Sequence, residues 1–562
     1  MSESLSGEAA APMLASQTSP LFEKKPDHEI LIIGTGFSGL GMALRLRRAG
    51  IEGFVLLEKE EDVGGTWLVN DYPGCACDIQ SHLYSFSFEP NPNWSREFSS
   101  QPEILSYVRG CAEKYGLYAD IRFNTWVIAA VYDETDALWH VRVTDAKAMA
   151  AFLKTRGKTT GDPFELDDPL LPPTRVITAR VVVSGMGGLA IPAYPNVPGL
   201  EKFEGNAFHS QQWDHGYELA GKRVAVIGTG ASAIQFVPEI QPKVSHLDLY
   251  QRTPPWVLPK PDRAITGGER WAFNRIPGAR WLRRTSLYWM LESRAFAFVV
   301  QPGLLKAPEK WARQFLEHQV ADEALRKKLT PTYSPGCKRI LMSWNYYPAL
   351  TRPNVNVITT GIREVREHSI VDEAGVERPV DAIIFGTGFR VATDMMPRGL
   401  IRGRDGQDLG TVSPTGPEAY KGTTVAGFPN LFLLVGPNTG LGHNSLVFMI
   451  ESQITYVLDA IRVMQTERLQ SVEVKREAQT AFNAKVQERS KRTVWTTGGC
   501  KSYYIHPETG RNLALWPDFT FLFRWVTRKF DRENYLLEAS KRYEAPKQHL
   551  GEPRAADVPL TG

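Results

Sequence analysis

Residues 28–60, HEILIIGTGFSGLGMALRLRRAGIEGFVLLEKE, decide the fold. EILII is an unbroken apolar run that stops at a glycine turn, as a strand buried on both faces does. Gly34, Gly36 and Gly39 complete G-x-G-x-x-G, with Phe37 and Ser38 inside the same turn. GMALRLRRAG reads as the following helix and FVLLE as a second strand. The first glycine makes the tight turn, the second lets backbone approach a pyrophosphate, and the third lets helix pack on strand. The helix N-terminus then turns its positive end toward the phosphates. Glu58 closes the second strand, where a carboxylate accepts from ribose hydroxyls.

The pattern returns at residues 222–254, KRVAVIGTGASAIQFVPEIQPKVSHLDLYQRTP. Gly228, Thr229, Gly230, Ser232 and Ala233 form its turn, and LDLYQ is its second strand. Glu58 lies 24 residues after Gly34, and Arg252 lies 24 residues after Gly228, with Thr253 beside it. One slot therefore holds an acid in the first unit and a base in the second. An acid suits a free ribose and repels a 2′-phosphate, whereas an arginine offers that phosphate a planar fork. The first unit is expected to bind FAD and the second NADPH. The alternative is one nucleotide site beside a decayed duplicate. It does not explain why the second unit keeps both glycines and gains an arginine.

RVITARVVVSGMGG and RPVDAIIFGTGF each run apolar into a small-residue turn, and NLFLLVGPNTGLGHNS is a later strand with a glycine-rich end. The expected class is α/β: two Rossmann-like dinucleotide-binding domains with a helical insertion. The boundaries read as follows: a disordered leader at 1–27, a discontinuous FAD domain at 28–187 and 389–545, an NADPH domain at 188–257 and 335–388, a helical insert at 258–334 and a flexible tail at 546–562. Residues 145–174 separate two strands that look like a hairpin. The gap is far too long for a hairpin loop and reads as a disordered or capping surface insertion.

A chain of 562 residues exceeds one ordinary core. The 43% apolar and 23% charged fractions are those of a globular protein, and a net charge of +3 gives no reason to invoke nucleic acid. Five cysteines with no Cys-x-x-Cys argue against a disulfide framework, a dithiol redox pair or a zinc knuckle, and suit a reducing, cytoplasmic location. No metal site is expected. No apolar run is long enough to span a bilayer. The nearest, SLYWMLESRAFAFVVQPGLL, is interrupted by Glu292 and Arg294 and reads as a buried or pocket-lining helix, with membrane-surface contact as a lesser option.

FAD with NADPH leaves disulfide reduction, quinone reduction, N- or S-oxygenation and ketone oxygenation open. The stretch FEGNAFHSQQWD, residues 203–214, narrows them. It matches F-x-G-x-x-x-H-x-x-x-W-D just before the second glycine turn and resembles the fingerprint of type I Baeyer–Villiger monooxygenases. Further motifs carry the same resemblance: GGTWLVNDYPGCACDIQSHLYSFSF (64–88), GCKRILMSWNYY (336–347), DAIIFGTGF and GTTVAGFPNLFLLVGPNTGLGHNS. It extends over roughly residues 28 to 545.

The resemblance implies an NADPH-dependent flavin monooxygenase. It would use dioxygen, through a flavin peroxide, to insert one oxygen beside a ketone carbonyl and give an ester or lactone, with sulfoxidation as a side activity. Arg339 resembles the active-site arginine, Asp78 the carboxylate that positions it, and Lys338 a second contact to the NADPH 2′-phosphate. Thr66, Trp67, Asp78 and Tyr84 resemble FAD contacts, and Val127 the backbone partner of the adenine. His209 and Trp213 fall on the linker between dinucleotide domains, as packing elements and not catalysts. The substrate pocket is expected between the aromatic-rich insert 258–334 and loops near 390–400 and 438–446. The chain departs from the family at Cys77, where many members carry a base, and at Ser502, Tyr503 and Tyr504, where some carry S-W-Y. Trp495 or Tyr503 is the candidate replacement for that tryptophan. Rival readings are a sulfur- or nitrogen-oxygenating flavoenzyme, an NADPH oxidase and a non-catalytic flavin-binding protein. A monomer or weak homo-oligomer is expected.

Overall fold

The computed structural model describes residues 25–391, 397–413 and 415–539. The expected leader falls almost wholly outside the described residues, as do the tail and part of the 390–400 loop.

Two sheets organise the chain. In the first, strand His28–Ile33 lies parallel between Phe54–Leu57 and Thr174–Ser184, with Ile32 opposite Leu56 on one side and Val183 on the other. Leu431–Leu433 adds in parallel beyond Thr174–Ser184, bringing a strand from far along the chain back to the same sheet. The strands Thr125–Asp133 and Leu138–Asp145 continue it antiparallel. The helix Phe37–Arg48 covers one face and is buried along nearly its whole first half. The second sheet is parallel throughout, in the order Val355–Ile358, His246–Tyr250, Arg223–Ile227, Ala382–Phe385, Asn206–His209. Its central strands bury Val224, Ala225 and Val226 almost completely, as helices or loops on both faces require.

The two glycine turns close identically. Gly34 N–H donates to the Leu57 carbonyl at 2.8 Å, and Gly228 N–H donates to the Tyr250 carbonyl at 3.0 Å. Each returning strand then turns at a glycine bonded to the end of the first strand: Gly185 N–H to the Ile33 carbonyl and Gly386 N–H to the Ile227 carbonyl, both at 2.8 Å. A Cβ on Gly39 would sit 1.9 Å from the Gly34 carbonyl oxygen, so the third glycine is required by packing alone. The segment FEGNAFHSQQWD contributes the edge strand Asn206–His209 of the second sheet. His209 is fully buried. Its Nε2 donates to the Gly388 carbonyl at 2.9 Å, and its Nδ1 accepts from Gln211 N–H at 3.1 Å. Burial pushes its pKa down to about 4, against the opposing pull of the Gly388 carbonyl, so the ring is neutral. Trp213 packs edge-on to Phe208 and tilted against Phe236.

Two expectations are corrected, and one alternative is decided. The 145–174 segment, read as disordered or capping, is ordered. Asp145 caps the helix Ala146–Thr155, and Met149, Phe152 and Leu153 bury themselves against Ile128, Phe164 and Leu166 as a satellite core. A disulfide joins Cys337 to Cys500. Their separation of 163 positions hid the pair, because sequence spacing carries no record of which loops meet. The helices of 267–329 do form, but their aromatics do not all turn inward. Trp271, Trp281, Trp289, Met290 and Phe296 are exposed, while Leu287 and Leu291 hold the helix Ala279–Glu292 to the body. Among the described residues no helix is long and apolar enough to cross a membrane.

Candidate active site

A two-residue parallel bridge brackets the helical insert: Val257 opposite Leu341 and Leu258 opposite Met342. It holds the two ends of the insert side by side. Lys260 follows one strand by two residues, and Arg339 precedes the other by two. Arg339 meets Asp78, from the loop after the short helix Thr66–Val69. The contact is a fork: Nε donates to Asp78 Oδ2 at 2.6 Å and Nη2 to Oδ1 at 2.7 Å. About a third of the Arg339 side chain, 33%, stays accessible, so the fork holds the side chain in place without enclosing it. Burial pushes the Asp78 carboxyl up, but the Arg339 charge and hydrogen bonds override it and hold the pKa below the usual range. The Asp78 charge in turn raises the Arg339 pKa further above its ordinary value, so Arg339 is a permanent cation.

Sequence reading missed Lys260. Its ammonium lies above the Phe98 ring at 5.2 Å, and burial lowers its pKa against the opposing pull of Asp262 and Asp78. The insert thus adds a second cation, after Arg339, whose charge Asp78 senses, where Cys77 leaves none in the local motif. Burial pushes the Cys77 thiol pKa up, with the Asp78 charge adding to the rise, so Cys77 is not a nucleophile. The signal for Lys260 was the PKPD segment itself, but only the bridge at 257–258 and 341–342 shows where it points. Gln235 was also missed. It accepts from Tyr72 Oη at 3.0 Å and donates to the Ala76 carbonyl at 2.9 Å, pinning the Asp78 loop onto the helix Ala233–Ile240 of the second unit.

The first glycine turn gathers Phe37, Trp67 and Tyr84 into one aromatic group. Tyr84 lies 5.2 Å from Phe37 and 5.6 Å from Trp67, and Trp67 Nε1 donates to Tyr84 Oη at 3.2 Å. Thr66 opens the short helix behind Gly65, whose Cβ would stand 2.8 Å from the Gly36 Cα; the two glycine backbones face one another with no room for side chains. Ser38 is buried in the first turn of its helix. Glu58 is buried and accepts from Thr35 N–H at 2.8 Å, Thr35 Oγ1 at 2.7 Å and Glu60 N–H at 3.0 Å. A carboxylate has about four acceptor positions, so one remains for a ribose hydroxyl. Val127 stands where the strand ladder shifts register, between Val127 and Ala129, which takes backbone out of regular pairing.

In the second unit, nothing would meet a Cβ on Gly230 within 4 Å, so its backbone lies open. Thr229 Oγ1 donates to the Thr253 carbonyl at 3.2 Å, tying the turn to the strand end that carries Arg252. Arg252 is exposed and Lys338 half-buried. Burial lowers the Lys338 pKa, and the Arg252 charge lowers it further. Neither pairs with a carboxylate among the described residues, so the pair is a cationic clamp without an internal anion. Gly-rich turns, an acid in one unit and a free double cation in the other fit FAD and NADPH in that order. Trp495 is fully buried against Phe298 and is withdrawn as a ribose contact, whereas Tyr503 is 55% exposed and sits 4.5 Å from Tyr504.

A family model for NAD(P)-binding Rossmann-like domains matches residues 32–100, and one for flavin-binding monooxygenase-like proteins matches residues 173–273. The chain is 54% identical over 544 residues to a Baeyer–Villiger monooxygenase of Pseudomonas aeruginosa, across 96% of this chain and 98% of that protein. The chain belongs to the Baeyer–Villiger monooxygenase family. A second family member, from Streptomyces coelicolor, is 46% identical over 507 residues, covering 90% and 92% of the two chains. Solved structures agree. The complex of OTEMO with FAD and NADP superposes with a TM-score of 0.78 at 26% identity, covering 92% of this chain and all of that one. Cyclohexanone monooxygenase from Rhodococcus sp. Phi1 bound to NADP+ gives 0.77 at 26%, again over 92% of this chain and 100% of the other. As a Baeyer–Villiger monooxygenase the chain is an enzyme of oxygen insertion, and its two sheets are the dinucleotide-binding halves of that architecture.

Proposed function

We propose that this Baeyer–Villiger monooxygenase converts an apolar ketone to an ester or lactone, using FAD, NADPH and dioxygen. The observation that carries this reading is the Asp78–Arg339 fork. FAD, once reduced by NADPH, supplies the oxygen-activating chemistry. The chain's residues bind, orient and polarise. Gly34, Gly36, Phe37, Ser38, Gly39, Glu58, Thr66, Trp67, Tyr84 and Val127 hold the flavin nucleotide. Gly228, Thr229, Gly230, Ser232, Ala233, Arg252, Thr253 and Lys338 hold NADPH.

Arg339 turns a permanent positive charge toward the reacting oxygen atoms. It favours the anionic form of the attacking oxygen, then the alkoxide that develops as the carbonyl carbon becomes tetrahedral. Asp78 fixes the plane of the guanidinium by two parallel hydrogen bonds and leaves its accessible part to substrate. Because Asp78 neutralises part of that charge, Lys260 keeps the local balance positive. Exclusion of water falls to the insert and to the 438–446 loop, whose Leu441, His443 and Asn444 are buried. A thioether is a secondary acceptor under the same reading. The enzyme is proposed to act in the cytoplasm, as a monomer or weak homo-oligomer.

The test uses the purified flavoprotein with NADPH, labelled dioxygen and a panel of cyclic, aryl and long-chain ketones plus a thioether. An ester or lactone carrying one labelled oxygen is expected, and Arg339→Ala should reduce its formation by about 10²–10³. Sulfoxide alone, or hydrogen peroxide alone across the panel, would reject ketone oxidation.

A further inference from the structure

The C-terminal end of the helix Ala279–Glu292 meets the helix Thr520–Val526 through side chains. Tyr288 Oη and Thr520 Oγ1 are hydrogen-bonded at 3.0 Å, and the Trp289 ring is 6.1 Å from that of Phe521. Their outward faces are apolar. Trp281 and Leu282 are each 64% exposed, Trp289 54%, Met290 43% and Trp525 63%, with Phe521 at 39%. Leu282 stands about two turns before Trp289 on the outward face, with Trp281 and Met290 on its two flanks, and Phe521 and Trp525 are one turn apart on the other helix. They form one strip, larger than scattered surface hydrophobics explain.

The charges within the two segments that carry the strip have a single sign. Residues 270–291 contain five arginines and no Asp or Glu, and residues 519–530 contain two arginines, one lysine and no acid. Some of these cations are used internally: Arg283 bonds Glu97, Arg284 bonds the His82 and Ser85 carbonyls, and Arg524 reaches Glu451. Arg270, Arg275, Arg280, Arg528 and Lys529 remain at the surface, Arg280 with one long bond, 3.4 Å, to the Pro90 carbonyl. Arg528 lies over the Trp525 ring at 3.3 Å, a stacked pair with its charge outward.

We propose that this face docks the enzyme peripherally on an anionic lipid bilayer. Exposed tryptophans among arginines, on helices lying along the surface, are what an interfacial contact requires: indoles settle at headgroup depth and guanidinium groups meet phosphates. A second copy of the chain fits less well. A two-fold contact would set this strip against itself and bring its arginines together with no carboxylate between them. Contact of this kind needs no spanning helix, and it does not depend on which ketone the enzyme oxidises.

The test is co-sedimentation of the full-length flavin-loaded enzyme with vesicles of phosphatidylcholine alone or mixed three to one with phosphatidylglycerol. At about 10 mM salt, where screening extends over about 30 Å, the mixed vesicles should carry the enzyme down, and high salt should release it. The pair Arg275→Gln and Arg280→Gln should weaken partitioning roughly 30-fold, from about one kcal/mol per surface arginine. Trp289→Ser with Trp525→Ser should weaken it at least about tenfold. Both variants should keep bound flavin and NADPH oxidation. If the tryptophan pair fails to fold, the arginine pair carries the test alone. Equal binding to neutral and anionic vesicles, no binding at low salt, or binding that the arginine pair leaves unchanged would overturn the proposal. So would a doubling of solution mass, without vesicle binding, that the tryptophan pair abolishes; a second copy would then cover the face.

Discussion

Arg252 and Lys338 should separate NADPH from NADH, and the structure sets the size of the effect. Arg252→Ala removes an exposed guanidinium that has no carboxylate partner among the described residues, so nothing inside the protein is left unpaired and folding should be unaffected. A hydrogen bond to a charged group contributes about 1.5–3 kcal/mol. Solvent screening at an exposed position pulls that toward its lower end, to about 1–2 kcal/mol, or roughly 5–30-fold in affinity. Lys338→Ala should cost a similar amount. The mutual repulsion recorded in the lowered Lys338 pKa exists before and after the nucleotide binds, so it does not enter the affinity difference directly. It does enter the pH dependence. A lysine with a depressed pKa loses its charge below its ordinary 10.5, so NADP+ affinity should fall as pH rises toward that value. Arg252→Ala, by removing one cause of the depression, should move that fall to higher pH. The assay is fluorescence titration of the oxidised enzyme with NADP+ and NAD+. Affinity for NADP+ should drop in both variants while affinity for NAD+ stays within about twofold. An equal loss for both nucleotides would mean that these residues support the turn and do not read the 2′-phosphate.

Arg339→Lys keeps the charge and loses the fork to Asp78; ester formation should fall at least about tenfold while flavin reduction by NADPH is retained, with the missing product recovered as hydrogen peroxide. His209, whose folded pKa of about 4 lies below the ordinary 6.5, binds fewer protons folded than unfolded between those values; its contribution is present above pH 6.5 and is lost as pH falls toward 4, up to about 3 kcal/mol, so His209→Gln should flatten the acid limb of a stability–pH curve. Glu292 is buried and accepts from Thr520 N–H at 2.5 Å, Thr520 Oγ1 at 2.7 Å and Asn444 Nδ2 at 2.7 Å, so Glu292→Ala should cost about 3 kcal/mol in urea unfolding by stranding those donors. Thiol titration of denatured, unreduced protein should find Cys75, Cys77 and Cys111 only, with Cys337 and Cys500 appearing after reduction.

The sequence alone determined the two glycine turns and the acid and arginine that follow them, because these depend on residues within one strand–turn–helix unit. Gly34, Gly39, Glu58, Gly228 and Arg252 are legible at short range for that reason. Asp78 and Arg339 were nameable only through resemblance, since 261 positions separate them and no local rule pairs them. Only the tertiary structure decided what depends on distant loops meeting. A short bridge at 257–258 and 341–342 sets Arg339 against Asp78 and brings the Lys260 charge within its influence. The same docking of insert on C-terminal loop joins Cys337 to Cys500 and buries Trp495 instead of leaving it for a nucleotide. The outward aromatics of the insert belong to the same class. Composition counts tryptophans, but whether Trp281 and Trp289 face solvent depends on Leu287 and Leu291 having already claimed the inner side of that helix.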